Sequence, residues 1–283
     1  MSRAALLLLA AAACGCAART RRFIGYRLSG EAPASVVCGR DGAARWCVHE
    51  PKGKPSGDLV YFLHYATGDE RSWERLGLAR AFYGELRRLG APAPRVVTVS
   101  YGEHWLLSSR AGLRQTVTLQ DFSALRARIE KGLGPVRRRY AWGMSMGGYN
   151  AAEAALASPG DWAAVALQCP ALEPESPYRE APASSPFPRE NEGREMFTWR
   201  LADEAAWRAD DPAARAAASR GVPRFWIEAD EDDEFGFYAG ALAFERALKA
   251  AGASVELVAT KGEHCLIDAR AAARFLAGAP GGR

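Results

Sequence analysis

A doubly wound α/β domain is the fold class this chain predicts, and three observations carry it. Six short apolar runs at residues 59–63, 96–100, 140–142, 163–167, 224–228 and 255–259 read as buried parallel strands, because they are apolar nearly throughout instead of alternating. Helical patterns separate them, near 70–89, 118–131, 146–158, 238–251 and 268–277. One of the runs ends in Gly143-Met-Ser145-Met-Gly147, a serine between small residues where a strand would turn into a helix.

The elements follow in chain order. Residues 1–22 stand apart: Arg3 precedes an apolar stretch from Ala4 to Ala13, then come Cys14-Gly-Cys16-Ala-Ala18 and the cations Arg19, Arg21 and Arg22. The apolar stretch is short for a bilayer span and suits the core of a secretory signal. Ala-Ala-Ala-Cys14 also resembles a bacterial lipobox, with Ala11 in place of the usual leucine, so the expectation is either simple cleavage or a membrane anchor through lipidated Cys14. Residues 23–283 form the domain, exported to the periplasm or held at a membrane. Two β-prone runs around Asp41-Gly42 predict an N-terminal antiparallel hairpin, and Cys38 and Cys47 can bridge it, since export permits disulfides. Cys169 and Cys265 follow separate strands and are expected as thiols.

The helix at 118–131 opens on Thr118 and Asp121 in a capping-box pattern and carries Phe122, Leu125 and Ile129 on one face. Ala151, Ala152, Ala154 and Ala155 favour helix after the serine. Residues 171–222 break the alternation: Pro174, Pro177, Pro182, Pro186 and Pro188 lie close together, and the segment reads as an irregular insertion at the carboxyl end of a strand, a place suited to a lid or binding loop. The formal charge of +4 is small for 283 residues and the basic residues are scattered, which disfavours nucleic acid as a partner. Arg137-Arg138-Arg139 reads as a solvated entry to a strand.

The chemistry starts from Ser145. A serine on a sharp strand-to-helix turn needs neighbours without side-chain bulk two positions either way, and Gly143 and Gly147 satisfy that demand of a nucleophile elbow. Its hydroxyl needs a base, which in turn needs a carboxylate. His49, His64 and His104 precede the serine, and only His264 follows it, just after the last strand, in the order serine, acid, histidine that such elbows use. The acid belongs after the preceding strand, where Glu228-Ala-Asp230-Glu-Asp232-Asp233-Glu234 offers Asp232 as first choice, then Asp233 and Asp230. Most carboxylates of such a run are expected in solvent, since unpaired buried charge is costly. An oxyanion would be held by the Met146 N–H and by a donor from Tyr65 or Ala66 in the loop His64-Tyr65-Ala66-Thr67-Gly68, with His64 supporting that loop. Trp105, at the carboxyl end of a strand, can line a substrate pocket or serve as packing. No cysteine or histidine spacing resembles a metal site.

On these motifs the chain resembles the α/β-hydrolase superfamily, in particular the esterase branch that includes feruloyl esterases and S-formylglutathione hydrolases, over roughly residues 58–277. The resemblance implies a mostly parallel sheet with helices on both faces and hydrolysis of a small-molecule carboxylic ester through an acyl-serine. It implies no metal and no organic cofactor. It favours Asp232, because the acid in such enzymes commonly stands three residues after a small residue ending the strand, here Ala229. Tyr65 departs from the His-Gly usual in the oxyanion loop. The same residues are compatible with an acyltransferase, a peptidase, or an exported binding protein on a hydrolase scaffold.

Overall fold

The computed structural model describes residues 31–108, 117–181 and 185–278. The signal or lipobox segment, with Cys14, and the prolyl residue Pro182 lie outside them. Eight strands form one sheet: β1 (Ser35–Asp41), β2 (Ala44–Glu50), β3 (Leu59–Leu63), β4 (Arg95–Ser100), β5 (Arg139–Met144), β6 (Ala164–Gln168), β7 (Arg224–Asp230) and β8 (Val255–Thr260), in the order β1-β2-β4-β3-β5-β6-β7-β8. β1, β2 and β4 are antiparallel neighbours, and every pairing from β4 onward is parallel. This is the expected α/β architecture with its N-terminal hairpin. In the hairpin Cys38 lies directly opposite Cys47, and the two form a disulfide.

The helices, among the described residues, are α1 (Ser72–Arg75), α2 (Leu78–Arg88), α3 (Leu119–Leu133), α4 (Met146–Ala157), α5 (Glu190–Thr198), α6 (Glu204–Ala209), α7 (Pro212–Ala218), α8 (Phe237–Ala250) and α9 (Ala269–Leu276). The helix expected over 70–89 is two helices, because Gly77 takes a left-handed φ of 75° between them, a conformation that glycine adopts at little cost. α3 keeps its expected cap: the Thr118 N–H donates to Asp121 Oδ2 at 2.8 Å.

Alternation along the strands sorts the core into two layers. Leu59, Tyr61 and Leu63 of β3 face α3, α4 and α8, together with Phe122, Tyr149 and Phe244. Val60 and Phe62 point the other way, onto Trp73, Phe82 and Phe275 of α1, α2 and α9. The central parallel strands are buried on both faces, which is why their sequences are apolar without a period of two. β8 is the edge strand and is only partly covered, so it is less buried than its sequence suggests.

The 171–222 segment is not irregular throughout. It holds α5, α6 and α7, and the last two start on Asp203 and Asp211, whose carboxylates accept from Ala206 N at 2.9 Å and from Ala213 N at 3.1 Å. The prolines behind the irregular reading, at 174–188, precede these helices, and Pro212 stands at the first turn of one, where its missing N–H costs nothing. The chain leaves β3 towards β4 on one side and returns to β5 on the other, and a change of direction of this kind opens a crevice at the carboxyl ends of the strands.

Candidate active site

Ser145 stands at that crevice, between β5 and α4, with φ 51° and ψ −118°. A non-glycine residue held there costs about 1–3 kcal/mol and persists only where its surroundings dictate it. They do so through the backbone: Ser145 N donates to Gln168 O at 3.0 Å, while Ser145 O accepts from Gly148 N at 2.8 Å and Ala171 N at 3.1 Å. The flanking glycines are steric necessities. A Cβ on Gly143 would meet Gly147 O at 2.0 Å, and one on Gly147 would meet Leu63 O at 2.0 Å. The latter contact also shows how closely the end of β3 and its following loop lie against the start of α4.

His264 follows β8 and meets the serine as expected. Ser145 Oγ donates to His264 Nε2 at 2.9 Å, and His264 Nδ1 donates to a carboxylate at 2.5 Å. That carboxylate belongs to Asp233, which corrects the expectation of Asp232. β7 runs on to Asp230, and the next residues turn back, with Asp233 N donating to Asp230 O at 3.2 Å. The turn sends Asp232 into solvent and brings Asp233, 2% exposed, under the imidazole. Its other oxygen, Oδ1, accepts from Phe235 N at 2.9 Å, so both oxygens are committed. Burial pulls the His264 pKa down, yet the charge and hydrogen bond of Asp233, helped by Glu234 and Asp230, outweigh it and leave the imidazole above the ordinary histidine value.

The acidic run is not a solvated face, which is a second correction. Glu228, Asp230 and Asp233 are all buried. Glu234 Oε2 accepts from His264 N at 2.7 Å, Asp230 Oδ2 from Leu266 N at 3.0 Å, and Glu228 Oε1 from Asp268 N at 2.9 Å. Alternate N–H groups of the histidine loop are therefore held by side chains on and just after β7. The burial penalty is met by hydrogen bonds to the carboxyl groups, and where it is least compensated the group resists ionising: burial pushes Glu228 up to about 8, against the opposing pull of its bonds to Gln168 and Asp268 N. Gln168 donates to Glu228 Oε2 at 2.5 Å and accepts from Trp142 Nε1 at 2.7 Å, so a polar chain crosses β5, β6 and β7 beneath the site.

Cys169 and Cys265, expected as thiols, form a disulfide with Cα atoms 4.9 Å apart. They are 96 residues apart in sequence, so spacing carries no signal; what pairs them is that the end of β6 and the histidine loop reach the same sheet edge. These two sulfurs and a His264 nitrogen come within 4.8 Å of one another, as metal ligands would. The sulfurs are bonded to each other and both ring nitrogens are engaged, so the donors are spent.

Met146 heads α4. Gly148 and Tyr149 donate to Ser145 O, whereas the Met146 N–H has no acceptor within the helix. Tyr65 and Ala66 come from the neighbouring loop, where Tyr65 O accepts from Gly68 N at 2.8 Å and from His64 Nδ1 at 2.7 Å. His64 is buried and braces this turn, as expected, and its burial lowers its pKa. Trp105 does not front an open pocket: at 2% exposure it is enclosed by Tyr149 and Phe197, with ring centroids 4.8 and 4.6 Å away. The aromatic rings packed on the histidine, unnoticed in the sequence, are Phe235 and Phe237, edge-on to His264 at 5.1 and 5.5 Å.

The strand order, with an elbow serine at the crevice and a histidine at the end of the last strand, defines an α/β-hydrolase. Residues 45–259 match the family model described as "Putative esterase", and the chain belongs to that family: it is a carboxylic ester hydrolase. Solved structures share the fold at low identity. An S-formylglutathione hydrolase from Agrobacterium tumefaciens is 18% identical, with 82% of this chain and 88% of that one covered and a TM-score of 0.58. A ferulic acid esterase is 17% identical over 86% and 94%, with a TM-score of 0.58. An ester-hydrolase from the metagenome of Lake Arreo is 17% identical over 94% and 90%, with a TM-score of 0.67. No curated protein matches the chain.

Proposed function

We propose that Ser145, His264 and Asp233 act as a catalytic triad and that ester cleavage proceeds through an acyl-serine. The relay from Asp233 through His264 to Ser145 Oγ, at 2.5 and 2.9 Å, carries this reading. With Nδ1–H donated to the carboxylate, Nε2 keeps its lone pair for the serine proton, the tautomer that a general base requires. Ser145 Oγ attacks the carbonyl carbon, the proton passes to Nε2, and Asp233 stabilises the imidazolium. The carbonyl oxygen becomes an oxyanion before the Met146 N–H and a second N–H from Tyr65 or Ala66. Collapse expels the alcohol, which takes the proton from His264; water then enters by the same route and releases the acid.

In this reading the described part of the 171–222 insertion covers the acyl or alcohol side. α5 supports that role: Phe197 packs on Trp105, and Gly193 lies against Phe237, beside the histidine. In the same reading the chain acts outside the cytoplasm, anchored through a lipidated Cys14: the Arg3, Ala4–Ala13 and Cys14 pattern supports export, and the two described disulfides fit an oxidising compartment.

The test pairs the full chain with Ser145→Ala in hydrolysis of p-nitrophenyl esters of increasing acyl length. The variant is expected to lose on the order of 10⁴- to 10⁶-fold in kcat with an unchanged circular dichroism spectrum. A fluorophosphonate is expected to label the parent and not the variant; the Lake Arreo ester-hydrolase structure holds a related compound, a derivative of bipyridine phosphonate. Parental turnover by Ser145→Ala would remove the serine from the mechanism.

A further inference from the structure

Three described residues other than glycine adopt a left-handed backbone: Ser145 at φ 51°, Cys169 at 43° and Cys265 at 68°. One is the proposed nucleophile, and the other two form the disulfide beside the proposed base. Left-handed φ in residues with a Cβ survives where the surroundings over-determine it, and such positions cluster at working sites. Here the surroundings of all three are shared.

Cys169 is locked to the nucleophile's own backbone. The residue before it, Gln168, accepts from Ser145 N, and Ala171 N donates to Ser145 O, while Cys169 N itself donates to Glu228 O at 2.7 Å. Cys265 directly follows His264. Side-chain hydrogen bonds to His264 N, Leu266 N and Asp268 N come from Glu234, Asp230 and Glu228, that is, from β7 and the turn after it. They fix the loop relative to the acid. The covalent tie towards the serine's side of the site is Cys169–Cys265.

We infer that the Cys169–Cys265 disulfide is a positioning element of the catalytic base, holding His264 at hydrogen-bond distance from Ser145, so that opening it lowers kcat in molecules that remain folded. The inference rests on the triad reading above. Both cysteines are buried, at 2% and 6% exposure, which makes the bond a standing brace. Displacing a reacting group by about 1 Å costs on the order of 100-fold in rate, whereas substrate binding through other contacts is spared. A bridge that only stabilised the fold would leave kcat unchanged wherever the protein is folded.

The experiment compares the full parent chain with Cys169→Ala/Cys265→Ala, both checked by circular dichroism, in p-nitrophenyl ester hydrolysis. A fall in kcat of about 10- to 100-fold with KM within a few-fold is expected. Unchanged kcat in a folded double variant overturns the inference. If the double variant does not fold, the folded parent is titrated with a phosphine reductant, which takes up the oxygen of water and leaves two thiols for each bond opened. Mass spectrometry counts opened Cys169–Cys265 bonds, and Cys38→Ala/Cys47→Ala provides a background without the hairpin bridge. Activity falling in step with opening and returning on reoxidation by a glutathione disulfide supports the brace; activity indifferent to opening overturns it. A parent that neither turns over ester nor takes the fluorophosphonate label would instead defeat the triad reading, an outcome separate from these.

Discussion

The two edges of the parallel sheet handle charge in opposite ways. At the amino ends of the strands Asp58 accepts from Arg137 Nε and Arg138 Nη2 at 2.9 Å each, and Arg139 pairs with Glu130. The Asp58 carboxylate is itself buried, but its arginine side chains stay 57% and 51% exposed, so solvent competes for the cations. At the carboxyl ends Glu228, Asp230 and Asp233 are buried and spend their oxygens on backbone N–H groups, Gln168, Thr260 and His264. Pairs whose cations keep much of their water contribute modestly and tolerate exchange. Enclosed carboxylates lose most of their solvation, so each must be matched by donors at fixed positions, and this matching holds a loop still enough to carry a base. One edge is therefore soluble and forgiving, and the other is dense and exacting.

The sharpest break of that contrast lies between neighbouring residues of the acidic turn. Asp233→Asn is expected to lower kcat by about 10⁴-fold, because the amide would favour the wrong imidazole tautomer, while Asp232→Asn keeps parental turnover. Steady-state kinetics on both variants decides it, and the reverse ranking would return the acid to Asp232. The pH profile sharpens the same point. The base must be unprotonated, so kcat/KM rises with pH through the His264 pKa, and the acid limb is expected above the ordinary 6.5, since Asp233 raises that pKa beyond what burial subtracts. In Asp233→Asn the raising partner is gone, burial remains, and the limb moves to lower pH. A limb that stays in place in this variant would assign it to another group.

The smallest effect belongs to the other edge. Asp58→Asn is expected to cost about 1–2 kcal/mol in urea unfolding near neutral pH, because the carboxylate is buried while its arginines can return to water, with ester turnover unchanged. Although burial alone would raise the Asp58 pKa, its bonds to Arg137 and Arg138 hold it below the ordinary 3.8. A depressed carboxyl pKa stabilises the fold above the unfolded-state value and loses that contribution as pH falls through the folded-state one. The gap between parent and variant should accordingly close in acid, and a gap that widened there would show that Asp58 acts through something other than its charge.

Elements and order were legible because local chemistry decides them. Apolar runs marked all six parallel strands, Thr118 and Asp121 marked the start of α3, and Gly143 and Gly147 marked the turn around Ser145. His264 could be chosen by order alone. Other features depended on distant parts of the chain. Prolines at 174–188 lent an irregular reading to the whole of 171–222, although α6 and α7 follow them on aspartate caps, and Trp105 looked suited to a pocket until Phe197, from the later segment, closed over it. Cys265 stands beside His264 in the sequence, but nothing local connects it to Cys169.

By itself, then, the sequence determined the α/β class, the elbow serine and the histidine that answers it, because periodicity, the steric need for glycine and strand order are local or sequential properties. Only the tertiary structure decided which carboxylate meets that histidine, which carboxylates are buried and which cysteines are joined. A one-residue difference in the turn after β7 reverses the direction of a side chain, and the partners that make burial tolerable arrive from β5, β6 and the loop after β8, brought to one sheet edge only when the whole fold has closed.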